Sequence, residues 1–190
     1  MWDRTWRALL GVVLCLGAGE SYRQLVTLPQ ETLAPAPPVE EPFADVSFGQ
    51  EWYDGAQYGY RRGFVQGMSE TAFGGELPAT RAMAMTMLWR MAGRPEILGP
   101  SGFSDVEPDS WYTPAAVWAE TRGVLLGYGD GTVRPQEKVT REQLQKMLER
   151  CLGRGQVEVF RAVVQPKGGG EGMTRGELTQ ILMELWEGEG

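Results

Sequence analysis

The chain has 190 residues, of which 42% are hydrophobic, so it is long enough to bury a sizeable core. Its formal net charge of −7 provides no overall positive field to draw it onto nucleic acid or an anionic membrane. The absence of histidine excludes Ser-His-Asp and Cys-His catalysis and His-ligated zinc, and the two cysteines, Cys15 and Cys151, cannot form a disulfide framework or a four-cysteine zinc site. We therefore expect no metal ion, no cofactor and no nucleic-acid partner.

Residues 1–19 have the pattern of a secretory signal peptide. Arg4 and Arg7 precede an apolar run over residues 8–16, and the small residues Gly17, Ala18 and Gly19 follow it. The run is too short for a comfortable membrane span, although an uncleaved anchor and a buried helix remain as alternatives. We predict export, with no transmembrane span in the mature form.

Residues 20–42 have the composition of a linker. Their second half is rich in proline and glutamate and lacks aromatic residues. This composition favours an extended, semi-rigid spacer over a packed domain. The prolines are Pro29, Pro35, Pro37, Pro38 and Pro42.

Residues 43–93 and 103–153 are two copies of one unit, joined by a linker over residues 94–102. Laid on each other 60 residues apart, they share many identities. The pair Trp52-Tyr53 matches Trp111-Tyr112 at an offset of 59 residues instead of 60. This difference predicts that one residue is gained and one lost around the pair, beside a loop and within the first helix. The identities include Phe43/Phe103, Asp45/Asp105, Arg62/Arg122, Gly63/Gly123, Gly67/Gly127, Thr80/Thr140, Arg81/Arg141 and Leu88/Leu148.

Each unit is predicted to fold as a helix, a glycine-rich loop and a second helix. In the second unit, Thr113 and Pro114 are typical of a helix start. The helix is predicted to end at Arg122, because Gly123 is typical of the residue that follows a helix. The glycines of residues 127–135 permit tight turns, so the next helix begins only at Thr140.

The second helix of each unit carries an apolar stripe behind a capping residue. Thr140 and Gln143 form a capping box, as do Thr174 and Glu177 in a degenerate third unit over residues 154–187. Three such helices predict a mainly α-helical domain around a three-helix core. The stripes are Ala84, Met87, Leu88 and Met91; Leu144, Met147, Leu148 and Cys151; and Leu178, Ile181, Leu182 and Leu185.

The second unit closely resembles an S-layer homology repeat, and the first is a divergent copy. The resemblance implies a pseudo-threefold domain of helix-loop-helix repeats, here with a truncated third repeat. The motifs that carry it are Phe103-Ser-Asp-Val106, Trp111-Tyr112, Ala116-Val-Trp-Ala119, the loop Gly127 to Pro135 and Val139-Thr-Arg-Glu142, with Phe43-Ala-Asp-Val46 and Thr80-Arg81 in the first copy.

The resemblance further implies a non-enzymatic protein that binds secondary cell-wall polysaccharide in grooves between repeats, at the surface of a Gram-positive-type envelope. Such sugars often bear a pyruvyl ketal, whose carboxylate suits the fork of an arginine and the N–H groups of a helix start. We expect Arg141 to contribute more than Arg175, because its own repeat also holds Trp111, Asp105 and the intact loop. The full set of glycan-binding candidates is Arg81, Arg141, Arg175, Thr140, Trp52, Trp111, Asp45 and Asp105.

Each candidate also has a structural interpretation. The tryptophans are equally typical of core aromatics, the aspartates of turn or capping residues, and the arginines of solvated first-turn residues. For the whole protein, the alternatives are a module that binds a partner polypeptide at the cell surface, and a small glycan-acting enzyme with a carboxylate pair. Asp130 suggests calcium only weakly, because its loop lacks alternating oxygen ligands.

Overall fold

The computed structural model describes residues 43–152 and 172–187, which form a mainly α-helical domain. Within these ranges there are five helices and no strand. The predicted signal peptide, the Pro-rich linker and most of the third unit's first half lie outside the described residues. The helices are α1 (Tyr53–Arg61), α2 (Arg81–Met91), α3 (Thr113–Thr121), α4 (Arg141–Leu152) and α5 (Arg175–Glu187).

The helix boundaries confirm the predicted helix-loop-helix order. Helix α3 ends at Thr121, one residue before its predicted end, and Gly123 takes the left-handed conformation with φ 67° that ends such a helix without steric cost. Both capping boxes form: the Thr140 N–H donates to Gln143 Oε1, and the Thr174 N–H donates to Glu177 Oε2. The hydroxyl of each threonine accepts a backbone N–H in return.

The two copies keep one register throughout, so the predicted slip around the aromatic pairs is wrong. Trp52 and Tyr112 both lie immediately before a helix, at α1 and α3, and both are buried. Trp111 instead corresponds to Glu51 and is 55% exposed. Trp52 and Tyr112 therefore occupy equivalent positions, and burial at the helix entrance determines this pairing.

The predicted apolar stripes of α2, α4 and α5 lie in a single hydrophobic core. Most stripe residues are fully buried, whereas Met91 and Cys151 at the helix ends are half-buried. Fully buried side chains include Leu144 and Leu148 in α4 and Leu178 and Leu182 in α5. This confirms the helical periodicity that predicted the core.

The first helix of a unit packs against the second helix of another unit. Helix α3 packs against α2 of the preceding unit, and α1 packs against α5 at the far end of the chain. Three backbone bonds close a ring at the centre: the Ala79 N–H donates to the Met173 carbonyl, Met173 to Val139, and Val139 to Ala79, at 2.9, 3.1 and 2.9 Å. The first and last described elements are thus joined directly.

No helix within residues 43–152 and 172–187 has the length and apolar character that crossing a bilayer requires.

Candidate functional site

Arg81, the first residue of α2, reaches from the first unit into the loop of the second. It is 5% exposed, its Nε donates to the Val133 carbonyl at 2.7 Å, and its guanidinium lies 5.1 Å from the centre of the Tyr128 ring. Burial lowers the pKa of Arg81 from its ordinary value. Its two terminal nitrogens make no hydrogen bond to any residue that the structure describes.

Arg175 occupies the equivalent position in α5, where two of its nitrogens are bound by backbone carbonyls. Its Nε donates to the Phe73 carbonyl at 2.9 Å, and a terminal nitrogen donates to the Gln66 carbonyl. Burial lowers the pKa of Arg175 to about 10, with a further decrease from Arg90 nearby. Since two of its three guanidinium nitrogens already donate to backbone carbonyls, its capacity for a ligand carboxylate is reduced.

Arg141, the third equivalent arginine, is paired within the protein. Its Nη2 lies 2.8 Å from Oε1 of Glu177 in α5. The predicted combination of Arg141 with Trp111 and the loop of its own repeat does not form around a common site, because the loop over residues 127–135 faces Arg81 instead. Arg81 and Arg175 each reach the loop of another repeat, and Arg141 reaches Glu177 of the third unit, so none of the three contacts its own loop.

Tyr128 organises the surroundings of Arg81. The Arg134 guanidinium stacks 3.9 Å from the centre of its ring, and Arg81 approaches the same ring. The hydroxyl accepts a hydrogen bond from Gln143 Nε2 at 3.3 Å and donates one to Glu137 Oε2 at 3.4 Å. Both ends of the tyrosine are therefore held, which fixes the aromatic face that positions the two cations.

Sequence reasoning missed Tyr128 and Arg134 because it treated residues 127–135 as a turn. The available signal was a difference between the repeats: the first has Met68 and Gly74 at these positions. An aromatic residue and a base within a glycine-rich loop, absent from the sister loop, would have indicated a site.

The expected role of the helix N-termini is wrong for α2 and α5, because their first N–H groups are already bonded. In α2, the Arg81 and Ala82 N–H groups donate to the Glu137 and Pro135 carbonyls, both at 2.9 Å. In α5, the Arg175 and Gly176 N–H groups donate to loop carbonyls of the first unit in the same way. These donors hold the repeats together and cannot also receive an anion.

Asp45 and Asp105 hold their loops closed. The carboxylate of Asp105 accepts the Val133 and Arg134 N–H groups at 2.8 and 2.7 Å, and Asp45 accepts the corresponding Phe73 and Gly74 N–H groups. Partial burial works against ionisation of Asp45, but these N–H donors outweigh it and lower its pKa. The turn interpretation therefore describes both aspartates. Thr140 likewise serves as the cap of α4.

The two candidate tryptophans have different environments. Trp52 is a core residue: its indole Nε1 donates to Glu76 at 3.2 Å, and its ring fills the space beside Gly75 and Gly176. Trp111 is exposed and packs edge-on against Tyr112. Only Trp111 thus presents an indole to solvent for a ligand.

The described part of the chain also contains acidic and cysteine side chains that could in principle bind a metal ion or react as a nucleophile. No group of three or more acidic, cysteine or histidine side chains there is placed to hold a metal ion. Asp130 closes its own turn by accepting the Thr132 N–H and hydroxyl. Burial raises the pKa of the Cys151 thiol, which disfavours the reactive thiolate.

The comparisons with known proteins concern the two units. Cell surface glycoprotein 1 of Acetivibrio thermocellus is 32% identical over 92 residues, which are 47% of this chain and 4% of that protein. Endo-1,4-beta-xylanase A of Thermoanaerobacterium saccharolyticum is 32% identical over 83 residues, 44% of this chain and 7% of the relative. Exoglucanase XynX of Acetivibrio thermocellus is 30% identical over 90 residues, 47% of this chain and 8% of the relative.

The chain spans less than a tenth of the length of these relatives, so the similarity is that of a module. The model of the S-layer homology domain matches residues 42–84 and 102–144, which include both loops and the starts of α2 and α4. Residues 42–84 and 102–144 are therefore two S-layer homology domains, the non-catalytic module that generally anchors cell-surface proteins to the cell wall.

Proposed function

We propose that this protein is exported and held non-covalently at the cell surface by an anionic secondary cell-wall polysaccharide, whose carboxylate binds Arg81 in the groove between the first and second repeats. The observation that carries the proposal is the state of the three equivalent arginines. Arg141 is paired with Glu177, Arg175 is bound by two carbonyls, and the terminal nitrogens of Arg81 have no hydrogen-bond partner among the described residues. A planar carboxylate, such as that of a pyruvyl ketal, matches this fork.

The surroundings of Arg81 also suit a sugar acid. Tyr128 supplies an aromatic face, Arg134 adds a second positive charge beside the same ring, and Gln143 and Glu137 supply polar groups at its hydroxyl. A charge-assisted hydrogen bond to a buried guanidinium is worth more than one at an open surface. Arg81 is therefore the first residue to test.

The remaining features fit an attachment role. The ring of backbone bonds through Ala79, Val139 and Met173 supports a pseudo-threefold arrangement in which a degenerate third unit completes the domain. We propose a signal peptide over residues 1–19 and a spacer over residues 20–42. We further propose that the protein has no catalytic activity, because the domain that residues 42–84 and 102–144 match is a non-catalytic module.

The first prediction tests Arg81 by sedimentation of the full chain with purified Gram-positive cell walls that keep their polysaccharide. Arg81→Ala should weaken binding by about 10- to 100-fold, the value of a charge-assisted hydrogen bond of about 1.5 to 3 kcal/mol. Arg81→Lys keeps the charge but loses the fork, so it should also bind weakly. Arg122→Ala, at an exposed arginine after α3, is the matched control and should bind normally.

Two results would contradict the proposal in different ways. Equal binding of the wild type to walls stripped of polysaccharide would favour a partner polypeptide over a glycan. Normal binding by a folded Arg81→Ala variant would remove Arg81 from the site. Circular dichroism and thermal midpoints must accompany the isotherms, because Arg81 also bonds to the Val133 carbonyl and its loss costs some stability.

A further inference from the structure

Three arginines hold the short segment that follows α1. Nη2 of Arg94 donates to the Gly63 carbonyl at 2.9 Å, and Nη2 of Arg90 donates to Gln66 Oε1 at 2.7 Å. Arg175, which reaches this segment from α5, donates to the Gln66 carbonyl. Because these acceptors lie within four consecutive residues, the three guanidinium groups lie close together.

Two further arginines at the end of α1 extend this group. Arg61 is the last residue of α1 and Arg62 follows it, and both are exposed. The Arg62 guanidinium lies 5.3 Å from the centre of the Tyr58 ring. Arg94 is also exposed and Arg90 is half-buried, so only Arg175 is buried behind the others. The arginine cluster consists of Arg61, Arg62, Arg90, Arg94 and Arg175.

No member of the arginine cluster forms an ion pair with a described residue. The acceptors of the cluster are backbone carbonyls, one side-chain amide and one aromatic ring, none of which carries a charge. The ion pairs of the described residues involve Arg134 and Arg141 instead. Burial lowers the pKa of Arg90, and the charge of Arg94 lowers it further. Like charges held together in this way cost free energy, which a bound anion would offset.

The second repeat shows that the fold does not require the arginine cluster. Thr121 stands at the counterpart of Arg61, and its hydroxyl donates to the Val117 carbonyl of its own helix. The exposed Leu126 stands at the counterpart of Gln66 and offers no side-chain acceptor to an arginine. Helix α3 nevertheless ends in the same way as α1, so the arginines of the first repeat are additional to what the fold requires.

The arginine cluster is separate from the anion site proposed at Arg81. Arg81 begins α2, whereas Arg90 lies in its last turn, so the two residues are about 13 Å apart along the helix axis. Arg81 faces the loop of the second repeat, and Arg90 faces the segment that follows α1. Loss of either site should therefore leave the other in place.

The charge of the rest of the protein favours a thin polymer over a membrane surface as the ligand. The whole chain has a net charge of −7 although it contains the arginine cluster, so the remaining surface is strongly acidic. A flat anionic bilayer would bring this acidic surface within the screening length of about 8 Å and would be repelled. A single anionic chain is narrow enough to contact the arginines alone.

Phosphodiester groups match the arrangement of the arginines. A carboxylate is planar and suits the fork of one arginine, whereas the non-bridging oxygens of a phosphodiester project from a tetrahedral phosphorus and can accept from two guanidinium groups at once. Arg90 and Arg94 bond to neighbouring parts of one short segment and so lie close enough to share such a group. We propose that the arginine cluster binds phosphodiester groups of an anionic polymer, as a site additional to Arg81.

Calorimetric titration of the full chain with a short oligo(glycerol phosphate) tests this proposal. The double variant Arg62→Gln, Arg94→Gln removes two exposed charges from the cluster and should lower the affinity about tenfold. The matched control Arg122→Gln, Arg150→Gln removes two exposed charges from the second repeat and should bind as the wild type does. Arg81→Ala should also keep wild-type affinity for this oligomer, because it lies at the other end of α2.

A single variant separates binding from stability. Arg94 bonds to the Gly63 carbonyl, so thermal midpoints must accompany the titrations of the double variant. The Arg61 side chain makes no hydrogen bond to a described residue. Arg61→Gln should therefore keep the wild-type midpoint and still weaken binding of the oligomer about threefold.

Several results would overturn the proposal. Unchanged affinity in both the double variant and Arg61→Gln would remove the cluster from the binding site, and an equal loss in the control would reveal a general effect of net charge. Equal affinity for an oligogalacturonate of the same length would show that carboxylates serve as well as phosphodiesters. Tighter binding to phosphatidylglycerol vesicles, lost in the double variant, would assign the cluster to a membrane surface. Failure of the wild type to bind the oligomer would exclude the ligand and leave the separate test of Arg81 intact.

Discussion

Arg81, Arg141 and Arg175 occupy the same position in three helices, yet their side chains meet different partners. The difference lies in the residues that each one faces, which come from another repeat. Arg175 meets the Gln66 and Phe73 carbonyls, and Arg141 meets Glu177. Arg81 meets the Val133 carbonyl and the Tyr128 ring, and its two terminal nitrogens have no hydrogen-bond partner among the described residues. On the proposed function, we therefore expect the neighbourhood of each arginine to determine which of them binds an anion.

Gln57 in α1 is a second residue whose environment conflicts with its chemistry. It is buried, and neither amide atom has a hydrogen-bond partner among the residues described. The second repeat has the buried Val117 at this position. Gln57→Met should raise the free energy of unfolding by about 1 to 3 kcal/mol, because it removes two unsatisfied polar atoms at similar volume.

Urea denaturation with tryptophan fluorescence measures this effect. Gln136→Met, at an exposed glutamine, is the control and should change stability by less than about 0.5 kcal/mol. Destabilisation by Gln57→Met would show that the amide has a hydrogen-bond partner in solution.

At the scale of the helices, α2, α4 and α5 contribute equivalent apolar stripes to one core. In α4 the stripe includes Leu144, Met147 and Leu148, each no more than 2% exposed. The adjacent Lys146 is exposed. Because stripe and capping box are spaced within a single helix, both depend on local sequence only.

Leu148→Ala should therefore lower the free energy of unfolding by about 2 to 5 kcal/mol, since it leaves a cavity in the core. Lys146→Ala, on the exposed side of the same helix, should have an effect below about 0.5 kcal/mol. Thermal and chemical denaturation of both variants provides the comparison. A small loss for Leu148→Ala would mean that the stripe does not form the core.

The sequence could therefore predict the helices, their caps and their buried faces, because these arise from residues three or four positions apart. It could not predict which loop each arginine faces, because Arg81 meets Val133 only after two repeats have packed together. It also mispaired Trp52 with Trp111, since chemical identity was a stronger sequence signal than the burial that pairs Trp52 with Tyr112. Most of the site depends on contacts between repeats, which a repeat alignment does not contain.

At the scale of the whole molecule, the interface between α1 and α5 connects the two ends of the domain. Helices α1 and α5 pack more closely than α3 and α2 do. Gly176 makes this possible, because it allows the Trp52 ring to pack directly on the backbone of α5. A Cβ atom at Gly176 would overlap the indole. The counterparts of Trp52 and Gly176 in the other interface are the smaller Tyr112 and the larger Ala82.

Gly176→Ala should destabilise the domain by about 1 to 3 kcal/mol, even though alanine favours a helix by about 1 kcal/mol over glycine. The double variant Trp52→Tyr, Gly176→Ala reproduces the pair of the sister interface and should recover part of the loss. A double-mutant cycle of unfolding free energies measures this coupling. If the two changes were simply additive, the interface would not depend on the fit between indole and glycine.

The ring through Ala79, Val139 and Met173 also determines when the domain can finish folding during synthesis of the chain. A ribosome produces the polypeptide from its amino terminus, and the third link of the ring comes from its last described helical unit. Neither earlier repeat can close the ring alone, so the newly made polypeptide stays incomplete until Met173 has emerged. For the export that we propose, this dependence postpones closure of the ring until Met173 has reached the far side of the membrane.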